Sequence, residues 1–232
     1  MGDWVTAMSL AKGYGRFAAA VNSLLLVLLC ATVAQAQTVP VKLAILGDSL
    51  TAGYGVKPTE SIPARLEAAL KAQGRSVSVL NHGVSGDTTA GGLERLDWMM
   101  GDKPDIVLVE LGANDALRAI DPATTERNLD AIIARLKSAN VTVWLAGMLA
   151  PRNLGAIYTT AFDGVYPKLA EKHGVPLYPF ILDGVAQDAS LNQPDGIHPN
   201  PRGVDVVVAR LLPFVIKNLD DHAASVRRPA RP

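Results

Sequence analysis

Between residues 41 and 219 the chain alternates short apolar runs with longer stretches of helical periodicity. Residues 41–46, 77–80, 106–111, 141–146 and 175–178 read as strands, and the third is apolar except for Glu110. Ser61 has the form of an N-cap ahead of Ile62, Leu66, Ala69 and Leu70 at helical spacing, with Gly74 as the stop. A helix carrying Leu93, Leu96 and Met100 ends near Gly101 and Pro104. Residues 124–139 form an amphipathic helix with Leu129, Ile132, Ile133 and Leu136 on one face. Residues 158–173 read as a helix kinked by Pro167, and a last helix starts near Pro201 or Gly203 and runs toward Leu219. Apolar strands separated by helices belong to a parallel sheet covered on both faces. The expected class is therefore α/β. No repeat, linker or composition break interrupts residues 41–220, so one domain is expected over residues 37–220.

The N-terminus reads differently. Lys12 and Arg16 precede an apolar run over residues 17–33, and Ala34-Gln35-Ala36 then supplies small residues at both cleavage-specifying positions. That order is expected of a secretory signal peptide over residues 1–36, with Met8 as an alternative start. An uncleaved anchor is the competing reading, because the run approaches bilayer-spanning length; Asn22 and Ser23 interrupt it. Cys30 is the only cysteine, and the bulky Leu29 before it argues against a lipoprotein signal. A mature domain without cysteine has no disulfide and no thiolate for metal binding or nucleophilic attack. It must be held by its core, which 49% hydrophobic residues can supply.

Basic and acidic residues both total 22, so no net field draws nucleic acid or anionic lipid toward the protein. The expected partner is a small neutral molecule, with no nucleic acid and no stable membrane insertion after cleavage. A periplasmic or secreted monomer is the default. Residues 221–232, polar and bearing arginine and proline, are expected to be a disordered tail.

In parallel sheets ligands bind beyond the carboxyl ends of the strands. Gly47-Asp48-Ser49-Leu50 follows the first strand, residues 81–87 the second, and Gly112-Ala113-Asn114-Asp115 the third, while Asp195-Gly196-Ile197-His198-Pro199 precedes the last helix. Taken singly, each reads as a turn or a cap. Together they place a hydroxyl, glycines, an amide and an Asp-x-x-His pair on one rim. A serine hydroxyl becomes a nucleophile when a base takes its proton. His198 can be that base, and Asp195 can hold its tautomer and stabilise the imidazolium. Acyl transfer also needs oxyanion donors, for which the N–H of Ser49, an N–H at Gly83 or Gly86 and the Asn114 amide are candidates. Ser49 stands where a helix should begin, so the helix dipole would favour an anion there. His82 and Asp87 form a second histidine–aspartate combination, read as structural because it precedes the strand-end glycines.

These four segments resemble the conserved blocks of the SGNH, or GDSL, hydrolase family. Residues 47–50 resemble the nucleophile block, Ser85-Gly86-Asp87 the second block, residues 112–115 the third and residues 195–199 the block carrying the acid and base. The resemblance selects Gly86 over Gly83 as the oxyanion-hole glycine, beside Ser49 and Asn114. Within the family, Gly86-Asp87-Thr88, Val109-Glu110-Leu111-Gly112, residues 166–170 and Val175-Pro176-Leu177 resemble the bacterial periplasmic thioesterase, arylesterase and lysophospholipase group. It implies a flavodoxin-like three-layer α/β/α sandwich with a five-stranded parallel sheet, no cofactor, no metal, and hydrolysis of aryl or acyl esters. Ala113 departs from the pattern, since a second glycine is common there, and its methyl is expected to narrow the acyl pocket. Residues 150–157 are expected to form part of the acyl-binding wall.

Three other functions compete. A nucleotide-binding module would explain the glycines of residues 47–55, but they match neither G-x-G-x-x-G nor a P-loop. An acyltransferase shares the fold and the residues, and the response to added alcohols or sugars separates it from a hydrolase. A lipase of the other α/β-hydrolase type would need G-x-S-x-G, which is absent around Ser49.

Overall fold

The computed structural model describes residues 39–227. The expected signal segment, residues 1–36, lies outside them. Five strands, β1 (Val41–Gly47), β2 (Val77–Gly83), β3 (Ile106–Glu110), β4 (Thr142–Ala146) and β5 (Leu177–Tyr178), form one parallel sheet in the order β2-β1-β3-β4-β5. The central strands are apolar because both of their faces are covered: every residue of β3 is buried, as are residues 43–47 of β1. Strand β2, at an edge, alternates instead, with Val77, Val79 and His82 buried and Asn81 exposed. That alternation hides its length. Asn81-His82-Gly83 reads as loop in the sequence, yet it continues the ladder, with Gly83 in register with Gly47. At the other edge β5 is shorter than expected, since Pro176 has no N–H to give a ladder.

Helix α1 (Ser49–Ala52) follows β1 directly, and α2 (Ile62–Ala72) leads to β2. Ser61 caps α2, accepting from the Ala64 N–H, and Ile62, Leu66 and Leu70 face the core. Between β2 and β3 the chain forms α3 (Thr89–Glu94) and α4 (Leu96–Met100) rather than one helix. The break falls at Arg95, whose guanidinium is drawn inward to the Gly47 carbonyl at 2.9 Å and to Asp87. After β3 come α5 (Ala113–Leu117) and α6 (Pro122–Ser138). The latter starts two residues before the apolar pattern, because Asp121 accepts from the Ala123 N–H and Pro122 suits a first helical position.

The expected kink at Pro167 is instead a break at Gly164 between α7 (Ala156–Asp163) and α8 (Val165–His173). Pro167 then lies in the first turn of α8, where a missing N–H leaves no intrahelical bond unmade. The last helix, α9, runs from Pro201 to Arg227. Residues 221–227 are therefore helical and not a disordered tail. Lys217 pairs with Asp221 one turn on, and His222 Nδ1 lies 2.9 Å from Thr142 Oγ1 at the start of β4. Those side-chain anchors were invisible to a reading based on polarity. Residues 228–232 lie outside the described part.

Helix α9 packs against α2, and α6 packs against α3 and α8. With the strand order β2-β1-β3-β4-β5, the right-handed crossovers that parallel strands adopt put these groups on opposite faces of the sheet, giving the three layers. No helix among the described residues is long and apolar enough to cross a membrane.

Candidate active site

From β1 the chain crosses to β2 on one side, and then returns past β1 to β3 on the other. Such a reversal of strand order opens a crevice at the carboxyl ends of the two strands it separates. Ser49 lies just past β1 and Asn114 just past β3, so the two flank that crevice.

The turn into α1 is tightly specified. Asp48 caps it, its Oδ1 accepting from the Leu50 N–H at 3.0 Å. A Cβ on Gly47 would lie 2.1 Å from Thr51 Oγ1 and 2.5 Å from Glu110 Oε2. Only glycine leaves room for the 2.7 Å hydrogen bond that Thr51 donates to Glu110. Helix α1 is a single turn, so the dipole expected to favour an anion at Ser49 is small, and the available donor is the Ser49 amide itself.

His198 and Asp195 come from the long connection between β5 and α9. His198 Nε2 lies 2.8 Å from Ser49 Oγ, and its Nδ1 lies 2.7 Å from Asp195 Oδ2. A carboxylate only accepts, so Nδ1 carries the proton and Nε2 accepts from the serine hydroxyl. The other Asp195 oxygen accepts from the Ile197 and His198 N–H groups, each at 3.0 Å. Gly196 closes this turn with a φ of +76°. Partial desolvation would raise the Asp195 pKa, but the hydrogen bonds from the His198 ring and the two amides outweigh it and hold the group at about 2.

The oxyanion candidates line the same cavity, of about 540 Å³, as Ser49 and His198. Gly86 has a φ of +85°, which a glycine adopts without strain, and its carbonyl accepts from Arg118 Nη2 at 2.9 Å. Asn114 Nδ2 donates to Asp48 Oδ2 at 3.3 Å. An amide nitrogen has two hydrogens, so a second remains for the cavity. Beside it, Asp115 is buried and accepts from Thr89 and Thr125, which makes its role structural. Tyr166 Oη donates to the Leu111 carbonyl at 2.9 Å, fixing the entry to α5. Ala113 also lines the cavity. Of residues 150–157, only Ala150, Pro151 and Arg152 do so, joined by Met148 and Leu149. Asp163 pins this segment through the Ala150 N–H and the Arg152 guanidinium. His82 is buried against Trp98 and lies 3.1 Å from Asp102, not paired with Asp87, whose partner is Arg95.

In the sequence Asp48 is visible only as part of the serine motif, and no motif or spacing marks Tyr54 or Arg118. Burial pushes the Asp48 carboxyl up to about 6, against the lowering effects of the Leu50 amide, His198 and Asn114. Burial, and then the charge of Asp48, raise Glu110 well above the usual carboxylate range. Tyr54 packs on the imidazole of His198 with ring centroids 4.6 Å apart. Glu110, polar within an apolar strand, is the one sequence signal that pointed to this buried pair.

Residues 45–206 match the model of the GDSL-like lipase/acylhydrolase family. The chain belongs to this family. Among GDSL relatives, an arylesterase of Vibrio mimicus is 39% identical over 179 residues, which cover 77% of this chain and 90% of the relative. A protein of Escherichia coli K12 named thioesterase 1/protease 1/lysophospholipase L1 is 41% identical over 197 residues, covering 83% and 91% of the two chains. The crystal structure of AlinE4, described as an SGNH-hydrolase family esterase, is similar with a TM-score of 0.66 and 45% identity, over 78% of this chain and 97% of that one. The five-stranded GDSL fold expected from the sequence is the one observed.

Proposed function

We propose that Ser49, His198 and Asp195 act as a catalytic triad in this GDSL hydrolase. The protein is a carboxylic ester hydrolase, and the observation that carries the triad reading is the unbroken line of hydrogen bonds from Ser49 Oγ through the imidazole to Asp195. Ser49 attacks the ester carbonyl while His198 Nε2 takes its proton. The Ser49 and Gly86 N–H groups and the Asn114 amide hold the developing oxyanion. His198 then protonates the leaving alcohol or phenol, and water releases the acid from the acyl-enzyme by the reverse sequence. Asp195, held at about 2, stays a carboxylate throughout and stabilises the imidazolium.

The substrates are small aryl or acyl esters. A cavity of about 540 Å³ is of the size that holds a small molecule, and Met148, Phe180, Leu182 and Ala113 give it an apolar wall for the acyl chain. The relatives' names support thioester and lysophospholipid cleavage as further activities of the same site. The protein acts as a monomer in the periplasm or outside the cell; Lys12, Arg16, the apolar run and Ala34-Gln35-Ala36 support export.

A chain-length series of aryl esters, assayed on wild type and Ser49→Ala, tests this reading. The wild type should show a preferred acyl length and the variant should be inactive. Full turnover by the variant would remove Ser49 from the mechanism.

A further inference from the structure

Gln193 stands two residues before Asp195, and nothing in its sequence context marks it out. Its Nε2 donates to the Tyr54 carbonyl at 2.7 Å and to the Pro199 carbonyl at 3.0 Å. Its backbone N–H donates to the His198 carbonyl at 2.7 Å, and its carbonyl accepts from the Gly196 N–H at 2.9 Å. Asn192 and Pro199 form an antiparallel bridge alongside. Gln193 thus closes the turn that carries Asp195 and His198, and also reaches out of it. Tyr54 lies just past Gly53, the C-cap of the nucleophile helix α1, with its N–H bonded to the Ser49 carbonyl at 3.0 Å. Among the described residues, the Gln193–Tyr54 bond is the one hydrogen bond joining the loop of the serine to the loop of the histidine, apart from the Ser49–His198 contact itself.

The carboxamide is seated firmly. A Cβ added to Gly55 would lie 2.0 Å from Gln193 Oε1, so the backbone after Tyr54 passes directly against it. Holding the Tyr54 carbonyl also sets the ring of Tyr54, which is the group packed on the His198 imidazole. The connection between β5 and α9 contains no strand or helix of more than a turn to fix His198 by itself. A catalytic base on such a segment needs a tether, because orientation errors at a reacting centre are expensive.

We propose that Gln193 is a positioning residue for ester hydrolysis: its carboxamide staples the histidine loop to the nucleophile loop and sets the Ser49–His198 contact. This rests on the reading that Ser49, His198 and Asp195 carry the reaction. Gln193 touches no reacting atom and acts through Tyr54, Pro199 and His198.

The test uses Gln193→Ala and Gln193→Glu beside wild type and Ser49→Ala, on one aryl ester, with active sites counted by titration with an aryl phosphonate. Both Gln193 variants should lose kcat per titrated site by about 10- to 100-fold, the size of effect that a misplacement of about 1 Å produces, with KM within about twofold. Glutamate keeps the shape but, when ionised, has no donor for the two carbonyls; when protonated it has one. The kcat of Gln193→Glu relative to wild type should therefore rise as pH falls, a change that general loosening of the fold would not give. Wild-type kcat per titrated site in both variants, a loss confined to KM, or a pH-independent deficit in Gln193→Glu would overturn the proposal. Turnover by Ser49→Ala would show instead that the triad reading has failed. An inactive Ser49→Ala beside wild-type-like Gln193 variants would remove the staple alone.

Discussion

At the scale of single residues, the site is built from groups whose hydrogen-bonding capacity is almost completely spent. The imidazole of His198 has both nitrogens occupied, and three of the bonds around it terminate on Asp195. Asn114 spends one amide hydrogen on Asp48 and keeps the other for the cavity, where the proposed oxyanion would form. Asn114→Ala should therefore lower kcat by roughly 100- to 1000-fold with little change in KM, since the bond it removes strengthens only as the oxyanion forms. Steady-state kinetics on an aryl ester checks this, and an unchanged kcat would remove Asn114 from the hole. The residues of this tier were legible in the sequence because their chemistry needs particular side chains in particular order. Tyr54 and Gln193 were not. One acts through a ring face and the other through backbone carbonyls, and neither demand leaves a recognisable spacing.

At the scale of elements, the sequence disclosed the central strands better than the edges. β1 and β3 are buried on both faces and read as apolar runs, whereas β2 alternates and carries Asn81 and His82 inside its ladder. Helix starts followed cap chemistry, as at Ser61, and helix breaks followed side chains that turn inward, as at Arg95. The histidine loop belongs to no regular element, which is why only its Asp-x-x-His spacing could be read. The end of α9 shows the same limit: polarity suggested a free tail, yet His222 bonds to Thr142 across 80 positions of chain. His222→Ala should cost about 1 kcal/mol of stability, the usual net value of one such bond. Urea denaturation would register it as a lower midpoint at unchanged slope, and no shift would mean that this end of the helix is not docked.

At the scale of the molecule, the sheet order brings β1 and β3 side by side, and the price of that arrangement is a pair of buried carboxyls beneath the serine. Asp48 has a folded pKa of about 6 against an ordinary 3.8. Between those values the folded protein holds a proton that the unfolded chain has released. The contribution of this carboxyl to stability is therefore fullest below about pH 4, is lost as pH rises through about 6, and stays lost above it. Asp48→Asn removes that loss. The variant should gain about 2–3 kcal/mol over wild type on moving from pH 4 to pH 8, a shift of that size in pKa converted to free energy. Denaturant titrations at the two pH values would measure it, while kcat should fall because the Asn114 amide loses its carboxylate. A gain independent of pH would show that Asp48 does not titrate in this range. The central claim concerns one covalent bond. Reaction with an aryl alkylphosphonate, followed by intact-mass measurement and peptide mapping, should yield a single adduct on the peptide containing Ser49, absent in Ser49→Ala and formed far more slowly in His198→Ala. An adduct on another residue, or unimpaired modification of Ser49→Ala, would contradict the account.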